Sequence, residues 1–167
     1  WQHLGLDESG RIGRIAIDST NPQRLFVAAA GKVYLQDGFR GVYRSTDGGS
    51  TWERVLFVAP TAGAIDLAID PSNPSRIFAA LWDHYSTPTH WHSGGVNSGI
   101  WLSVDGGTIW TRLTSGLPAS GPSVGRIGLA LAASQPQTVY ALYIDDPGKL
   151  IGIYKTTNGG VSWNKVN

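Results

Sequence analysis

The stretch from Trp82 to His92 gathers Trp82, Asp83, His84, Tyr85, His90, Trp91 and His92, and it holds three of the chain's four histidines. Aromatic rings set beside polar groups suit stacking on a sugar or on a peptide side chain. Imidazoles at alternate positions also offer donors to a metal, with His90 and His92 ligating alongside His84 or Asp83. Alternate residues on an extended segment share a face without any metal, however, and no Cys or Glu joins them. The expectation is a ligand-binding loop with no metal and no cofactor. A plainer alternative stays open, in which Trp82, Tyr85 and Trp91 anchor the loop to its own scaffold.

Cleavage of a glycosidic bond calls for a pair of carboxylates. Asp7, Glu8, Asp37, Asp66, Asp83, Asp145 and Asp146 fall in or near connecting segments. Sequence sets no separation between any two of them, so no catalytic residue is assigned. Asp37, Arg40, Asp145 and Asp146 join Asp83, His84, Tyr85, His90, Trp91 and His92 as ligand-binding candidates. No G-x-S-x-G, phosphate-binding loop, dinucleotide fingerprint, H-E-x-x-H or EF-hand pattern occurs.

The elements that must position these residues are written in a phrase that occurs three times. It reads Ser45-Thr46-Asp47-Gly48-Gly49-Ser50-Thr51-Trp52, then Ser103-Val104-Asp105-Gly106-Gly107-Thr108-Ile109-Trp110, then Thr156-Thr157-Asn158-Gly159-Gly160-Val161-Ser162-Trp163. Each copy separates two apolar runs and reads as a hairpin turn. Asp47, Asp105 or Asn158 can accept from the turn's own backbone N–H groups, and the paired glycines, ending in Gly49, Gly107 and Gly160, supply positive φ. Trp52, Trp110 and Trp163 then return the chain to an apolar interface. These nine residues are read as structural, because turn chemistry accounts for each type.

Upstream of every turn lies a second repeat, a β run, a turn carrying Pro and a further β run, as in Arg14–Pro22 leading into Arg24–Ala28. Four strands per repeat follow, A to D from the inside out. A lies near 13–17, 65–69 and 126–131, and B near 24–29, 76–82 and 138–143. C lies near 41–45, 99–103 and 152–156, and D near 52–57, 110–113 and 163–166. Self-similarity at this period with short strands indicates a radially repeated all-β structure. The expected fold is a β-propeller segment of three four-stranded antiparallel blades, 7–58, 59–114 and 115–167, within a larger propeller. Residues 1–6 align Trp1 with Trp52 and Trp110, so they read as the outer strand of a preceding blade. Three blades are fewer than the about four to eight that close a ring. With no Met at position 1, the chain reads as an excerpt of a longer protein unless several copies assemble.

Composition narrows the partners. Net charge near +1 with interspersed signs makes no case for nucleic acid, and the lack of Cys excludes a disulfide framework and thiolate chemistry. No apolar run is long enough for a membrane span.

The three turns resemble the Asp-box (BNR) repeat. Together with Gly10-Arg11-Ile12-Gly13-Arg14-Ile15, the Asn-Pro turns and the run Gly63 to Pro74, they are similar to the sortilin/VPS10-type propellers of bacterial exported proteins often labelled glycosyl hydrolase, BNR repeat. The resemblance covers nearly the whole chain. It implies an extracellular or periplasmic propeller, and it extends to sialidases, xyloglucan-cleaving enzymes, photosystem assembly factors and sorting receptors alike. A sialidase would need an arginine triad with a Tyr/Glu pair. Arg11, Arg14 and Arg126 are present, but the Arg-Ile-Pro context is missing and Glu occurs only at 8 and 53. The reading is a non-catalytic segment whose loops bind protein or glycan, with other blades of the same or another chain as neighbours. Its alternatives are a glycoside hydrolase of the xyloglucanase-like class with carboxylates partly outside this chain, and a structural subunit assembling edge to edge.

Overall fold

The computed structural model describes all 167 residues. Blade 1 consists of β1 (Ile12–Ile17), β2 (Leu25–Ala29), β3 (Gly41–Ser45) and β4 (Glu53–Leu56). Blade 2 begins with β5 (Ala62–Ile69) and β6 (Ile77–Asp83). A small hairpin, β7 (Tyr85–Ser86) with β8 (Trp91–His92), interrupts it before β9 (Gly99–Ser103) and β10 (Thr111–Leu113) complete the sheet. Blade 3 consists of β11 (Val124–Leu131), β12 (Val139–Asp145), β13 (Leu150–Thr156) and β14 (Asn164–Lys165). In each blade successive strands pair antiparallel, so the inner strands β1, β5 and β11 are each followed outward in chain order.

The core lies between blades rather than inside one. Along β6, Ile77, Ala79 and Leu81 pack toward blade 1 with Phe26, Val42 and Leu67, while Phe78 and Ala80 pack toward blade 3 with Ile127, Val139 and Tyr143. A strand buried on both faces reads as a continuous apolar run, which is how residues 77–81 read in sequence.

The repeated turn is built the same way three times. Its first hydroxyl donates to the acidic or amide side chain two residues on and accepts from the second glycine. Ser45 Oγ lies 2.8 Å from Asp47 Oδ1 and 2.8 Å from Gly49 N. Ser103 Oγ stands 2.8 Å from Asp105 Oδ1 and 2.9 Å from Gly107 N, and Thr156 Oγ1 stands 2.8 Å from Asn158 Oδ1 and 3.0 Å from Gly160 N. The Oδ1 atom then accepts from the N–H groups of Thr51, Ile109 and Ser162. Asn158 performs this role without a charge, as its amide oxygen permits. The hydroxyls of Ser45, Ser103 and Thr156 are buried and carry half of the motif, although only the Asp or Asn, Gly and Trp positions were singled out from sequence. Each turn is also tied to the A–B turn of its own blade, through Gly48 N to Gln23 O, Gly106 N to Ser75 O and Gly159 N to Gln137 O.

The second glycine has a further duty. A Cβ on Gly107 would stand 2.8 Å from Phe26 of blade 1, and one on Gly160 would stand 2.9 Å from Phe78 of blade 2. The B-strand Phe of one blade therefore seats on the turn of the next, and burying each ring contributes about 1.5–3 kcal/mol. Polar links follow the same route. Arg44 Nη1 donates to Gly106 O at 2.9 Å and Arg76 Nη2 to Pro136 O at 2.8 Å. Near the axis, Asp66 accepts from Arg14 Nε at 2.8 Å and from Leu129 N at 2.9 Å, so one carboxylate joins all three inner strands. Asp66 is thereby structural.

Residues 1–6 form no strand, contrary to the sequence-based expectation, and a single 3-10 turn follows at Asp7–Ser9. A strand needs a neighbour with which to exchange N–H···O bonds, and none lies beside this segment. Leu4 Cδ1 would meet a Cβ on Gly49 at 2.9 Å, much as Leu113 Cδ1 would meet one on Gly160 at 3.2 Å.

The turn makes a ranked prediction. Ser103→Ala leaves the buried Gly107 N–H without an acceptor and should cost about 1–3 kcal/mol. Asp105→Asn keeps the acceptor, as Asn158 does, and should cost less. Urea denaturation of the two variants checks the order.

Candidate ligand-binding platform

The loop face is held from beneath by Arg40, which is fully buried. Its Nη1 donates to the carbonyls of Ala30, Thr61 and His84, at 2.9, 3.2 and 2.8 Å, and its Nη2 donates to those of Lys32 and Leu35, at 2.6 and 3.0 Å. One guanidinium thus gathers the B–C loops of blades 1 and 2 and the connection between those blades. Burial disfavours its charge, and the nearby carboxylates of Asp37 and Asp83 offset part of that penalty. Arg40 is a brace, not a surface group open to ligand, which corrects its assignment as a binding candidate.

Above it sits His84, also buried. Arg11 has no acceptor, so the 3.1 Å contact between its Nη2 and His84 Nδ1 makes Nδ1 the acceptor and leaves the ring proton on Nε2. That Nε2 is buried with no hydrogen-bond partner. The imidazole is wedged between two indoles, 4.0 Å from the ring of Trp82 and 4.7 Å, edge-on, from that of Trp91. Burial, followed by repulsion from the Arg11 and Arg40 cations, pushes its pKa down to about 4.

The hairpin β7–β8 carries the rest of the array outward. Tyr85 stacks on His92 at 4.1 Å, and His90 meets His92 edge-on at 4.3 Å. The pairing of Tyr85 with His92 puts those rings, with His90, on one face of the hairpin, and the pairing of Ser86 with Trp91 puts Trp91 on the other, toward His84. Ser86 N also donates to Val33 O of blade 1, so the hairpin is clamped across the blade junction. Trp91 is 52% exposed and His90 is exposed, whereas Tyr85 and His92 are half-buried. The result is an aromatic hairpin platform with rings on both of its faces. The largest cavity, of about 510 Å³, lies elsewhere, between β10 and the third turn, lined by Leu102, Val104, Ile109 and Val161.

The structure brings together His84, Tyr85, His90, Trp91 and His92. The carboxylates chosen from sequence are held in the scaffold instead. Asp83 is buried, with Asn97 Nδ2 3.0 Å from its Oδ2. Asp37 is buried and accepts from Phe39 N at 3.0 Å. Asp145 closes its own turn by accepting from the N–H groups of Gly148 and Lys149. Asp146 accepts from Ser93 N at 3.3 Å, fastening blade 3 to the loop of blade 2. Asx-type turns engage Asp37 and Asp145, whereas Asp83 and Asp146 accept from residues 14 and 53 positions away. No group of three or more His, Cys, Asp or Glu side chains gathers as a metal site. Arg11, Asn97 and Ser98 were not singled out as parts of this site, and no local pattern marks them, because each acts across at least 14 residues of sequence.

The stacked blades define the class, an all-β propeller segment, and no helix is long and apolar enough to cross a membrane. No protein-family model matches the chain. It is 27% identical over 191 residues to xyloglucanase Xgh74A of Acetivibrio thermocellus, matching 98% of this chain and 21% of that protein. Among solved structures, an ancestral GH74 enzyme superposes with a TM-score of 0.69 at 21% identity, covering 93% of this chain and 18% of the other. YCF48 from Cyanidioschyzon merolae superposes with a TM-score of 0.57 at 20% identity, covering 99% and 42%, and a YCF48 bound to a peptide gives 0.52 at 16% identity, covering 95% and 40%. The chain thus spans about a fifth of the length of the xyloglucanase it matches.

His84 predicts an acid limb in stability. The unfolded chain takes up a proton below the ordinary histidine value of about 6.5, whereas the folded site resists until about 4. Stability from the neutral ring is therefore complete above the first value and lost as pH falls toward the second. Thermal midpoints followed by circular dichroism should fall across this window, and His84→Gln should flatten the fall.

Proposed function

We propose that this chain is a non-catalytic β-propeller segment whose loop face binds a glycan, within an exported protein. One observation carries the reading. Trp91 stands half-exposed edge-on against His84, on a hairpin whose opposite face carries Tyr85, His92 and the exposed His90 and which Arg40 braces through His84 O. A braced, half-exposed indole loses little entropy when a flat, C–H-lined sugar face stacks on it. The name of the matched relative supports choosing xyloglucan-type polysaccharide as the first glycan to test, and an extracytoplasmic setting fits such a ligand. The non-catalytic part of the reading rests on the carboxylates, since Asp37, Asp83, Asp145 and Asp146 are each engaged in holding loops.

A second reading is favoured by the same relative. In it the chain belongs to a glycoside hydrolase of the xyloglucanase-like class, with the platform positioning substrate for carboxylates partly on other blades. The peptide held by a YCF48 propeller keeps a protein ligand as the comparison case.

Calorimetric titration with xyloglucan oligosaccharides tests the proposal. The chain should bind, Trp91→Ala should weaken binding about tenfold, equivalent to about 1.4 kcal/mol, and Asp145→Asn should leave it unchanged. Equal affinity of Trp91→Ala, or no binding at millimolar ligand, would contradict the platform.

A further inference from the structure

The third turn carries Asn158 where the other two carry Asp47 and Asp105, and Asn158 is followed by Gly159. Asparagine before glycine is the pairing in which a backbone nitrogen most readily attacks the side-chain amide, because glycine has no Cβ to obstruct the closing ring. Of the chain's six asparagines only Asn158 has this neighbour. It is exposed, so water reaches it without any opening of the core. What restrains it is hydrogen bonding. Gly159 N, the nitrogen that would attack, donates to Gln137 O at 3.0 Å. Asn158 Oδ1 accepts from Thr156 Oγ1 at 2.8 Å and from Ser162 N at 3.0 Å, and its Nδ2 donates to Ser162 Oγ at 2.9 Å.

We propose that Asn158 is a site of spontaneous covalent modification, held off by the folded turn, whose aspartate product rebuilds the charged turn that Asp47 and Asp105 already form. In the first step Gly159 N bonds to Asn158 Cγ, the Cγ–Nδ2 bond breaks, and Nδ2 leaves as ammonia with the proton of Gly159 N. A five-membered imide results. Solvent water then opens it at Cγ, giving Asp at 158, or at the backbone carbonyl carbon of residue 158, giving isoaspartate. The fold opposes the first step because the imide nitrogen carries no hydrogen. Gly159 then has nothing to donate to Gln137 O, and Ser162 Oγ has lost Nδ2 as a partner.

The two products differ in what they leave of the turn. The first turn shows the fate of an Asp, since Asp47 Oδ1 accepts from Thr51 N at 2.9 Å and its Oδ2 from Thr51 Oγ1 at 2.7 Å. Thr51 holds the position of Ser162 in the repeat. Asp at 158 therefore keeps both Oδ1 bonds and only turns Ser162 Oγ from acceptor into donor. A cation is already at hand for the new charge. A Cβ on Gly159 would lie 2.5 Å from Arg76 Nη1, as one on Gly106, beside Asp105, would lie 3.2 Å from Arg24 Nη1. Isoaspartate instead inserts a methylene into the main chain between residues 158 and 159. That displaces Gly160 N from Thr156 Oγ1, to which it donates at 3.0 Å, and with it the seat of Phe78. Each unfolding event thus exposes the chain to a reaction that the native turn suppresses, and one of its two products cannot regain the native junction.

The intact 167-residue chain, incubated at mildly alkaline pH with and without urea, tests this by mass-spectrometric peptide mapping that separates Asn, Asp and isoaspartate at 158. Amide loss should be slower in the folded chain by about tenfold or more, because the reaction follows the population of the opened turn. Ser162→Ala removes one restraint and should speed the loss in the folded chain by about fivefold, the effect of one ordinary hydrogen bond, with the rate in urea unchanged. Asn158→Asp should fold with an unchanged urea midpoint. When the urea-treated chain is refolded and passed over a sizing column, the native fraction should hold Asp and exclude isoaspartate. Equal rates with and without urea, no loss at Asn158 even in urea, a lowered midpoint for Asn158→Asp, or isoaspartate carried undiminished into the native fraction would each overturn the proposal. None of these outcomes bears on glycan binding, so the platform stands or falls separately.

Discussion

Everything in this protein depends on the seat that the second glycine of each turn offers to the blade before it. The seat exists because a Ser or Thr hydroxyl and an Asp or Asn oxygen fix the turn from within, holding Gly49, Gly107 and Gly160 at φ near 95°, 90° and 96°. Only glycine holds that conformation without strain, and only glycine leaves room for Phe26 or Phe78. The turn is therefore both the end of one hairpin and the foundation of the next junction. The Asp66 clip at the axis and the Arg44 and Arg76 links at the turns then fix how the sheets lie against one another.

Rigidity at the turn face makes specificity affordable at the loop face. Loops between strands B and C have no sheet partner of their own, so their backbone carbonyls must be satisfied by something else. Arg40 does this for four of them at once and also reaches Thr61 O in the connection between the blades, anchoring the base of the β7–β8 hairpin through His84 O. His84 continues the support upward. Because Arg11 and Arg40 oppose its protonation, it stays a neutral spacer between Trp82 and Trp91 instead of becoming a cation within the stack.

Much of the architecture was legible in the sequence, and the site only partly so. The strands of all three blades follow from Gly-Gly turns and Pro-bearing turns, whose chemistry is local and survives translation into residue types. Trp1–Leu6 was legible as the match of Trp110–Leu113 but not as a segment without strand pairing, because pairing depends on a neighbour outside the segment. The aromatic members of the platform were legible as a cluster within eleven residues. Asp37 and Asp145 could not be told from ligand-facing carboxylates because an Asp that closes a turn and an Asp that faces a ligand are the same letter. Asp145 carried a readable clue in Gly148, three residues on, the same turn logic as in the repeats. Arg40 carried none, since its burial arises where segments from residues 30–35, 61 and 84 converge.

The most direct test of the account is hydrogen–deuterium exchange of the chain with and without a xyloglucan oligosaccharide. If the loop face is the binding surface, protection on adding ligand centres on residues 84–92 and on Val33–Leu35, which the hairpin adjoins. Protection confined to the apolar cavity around Leu102, Ile109 and Val161, or to none of the chain, would contradict it.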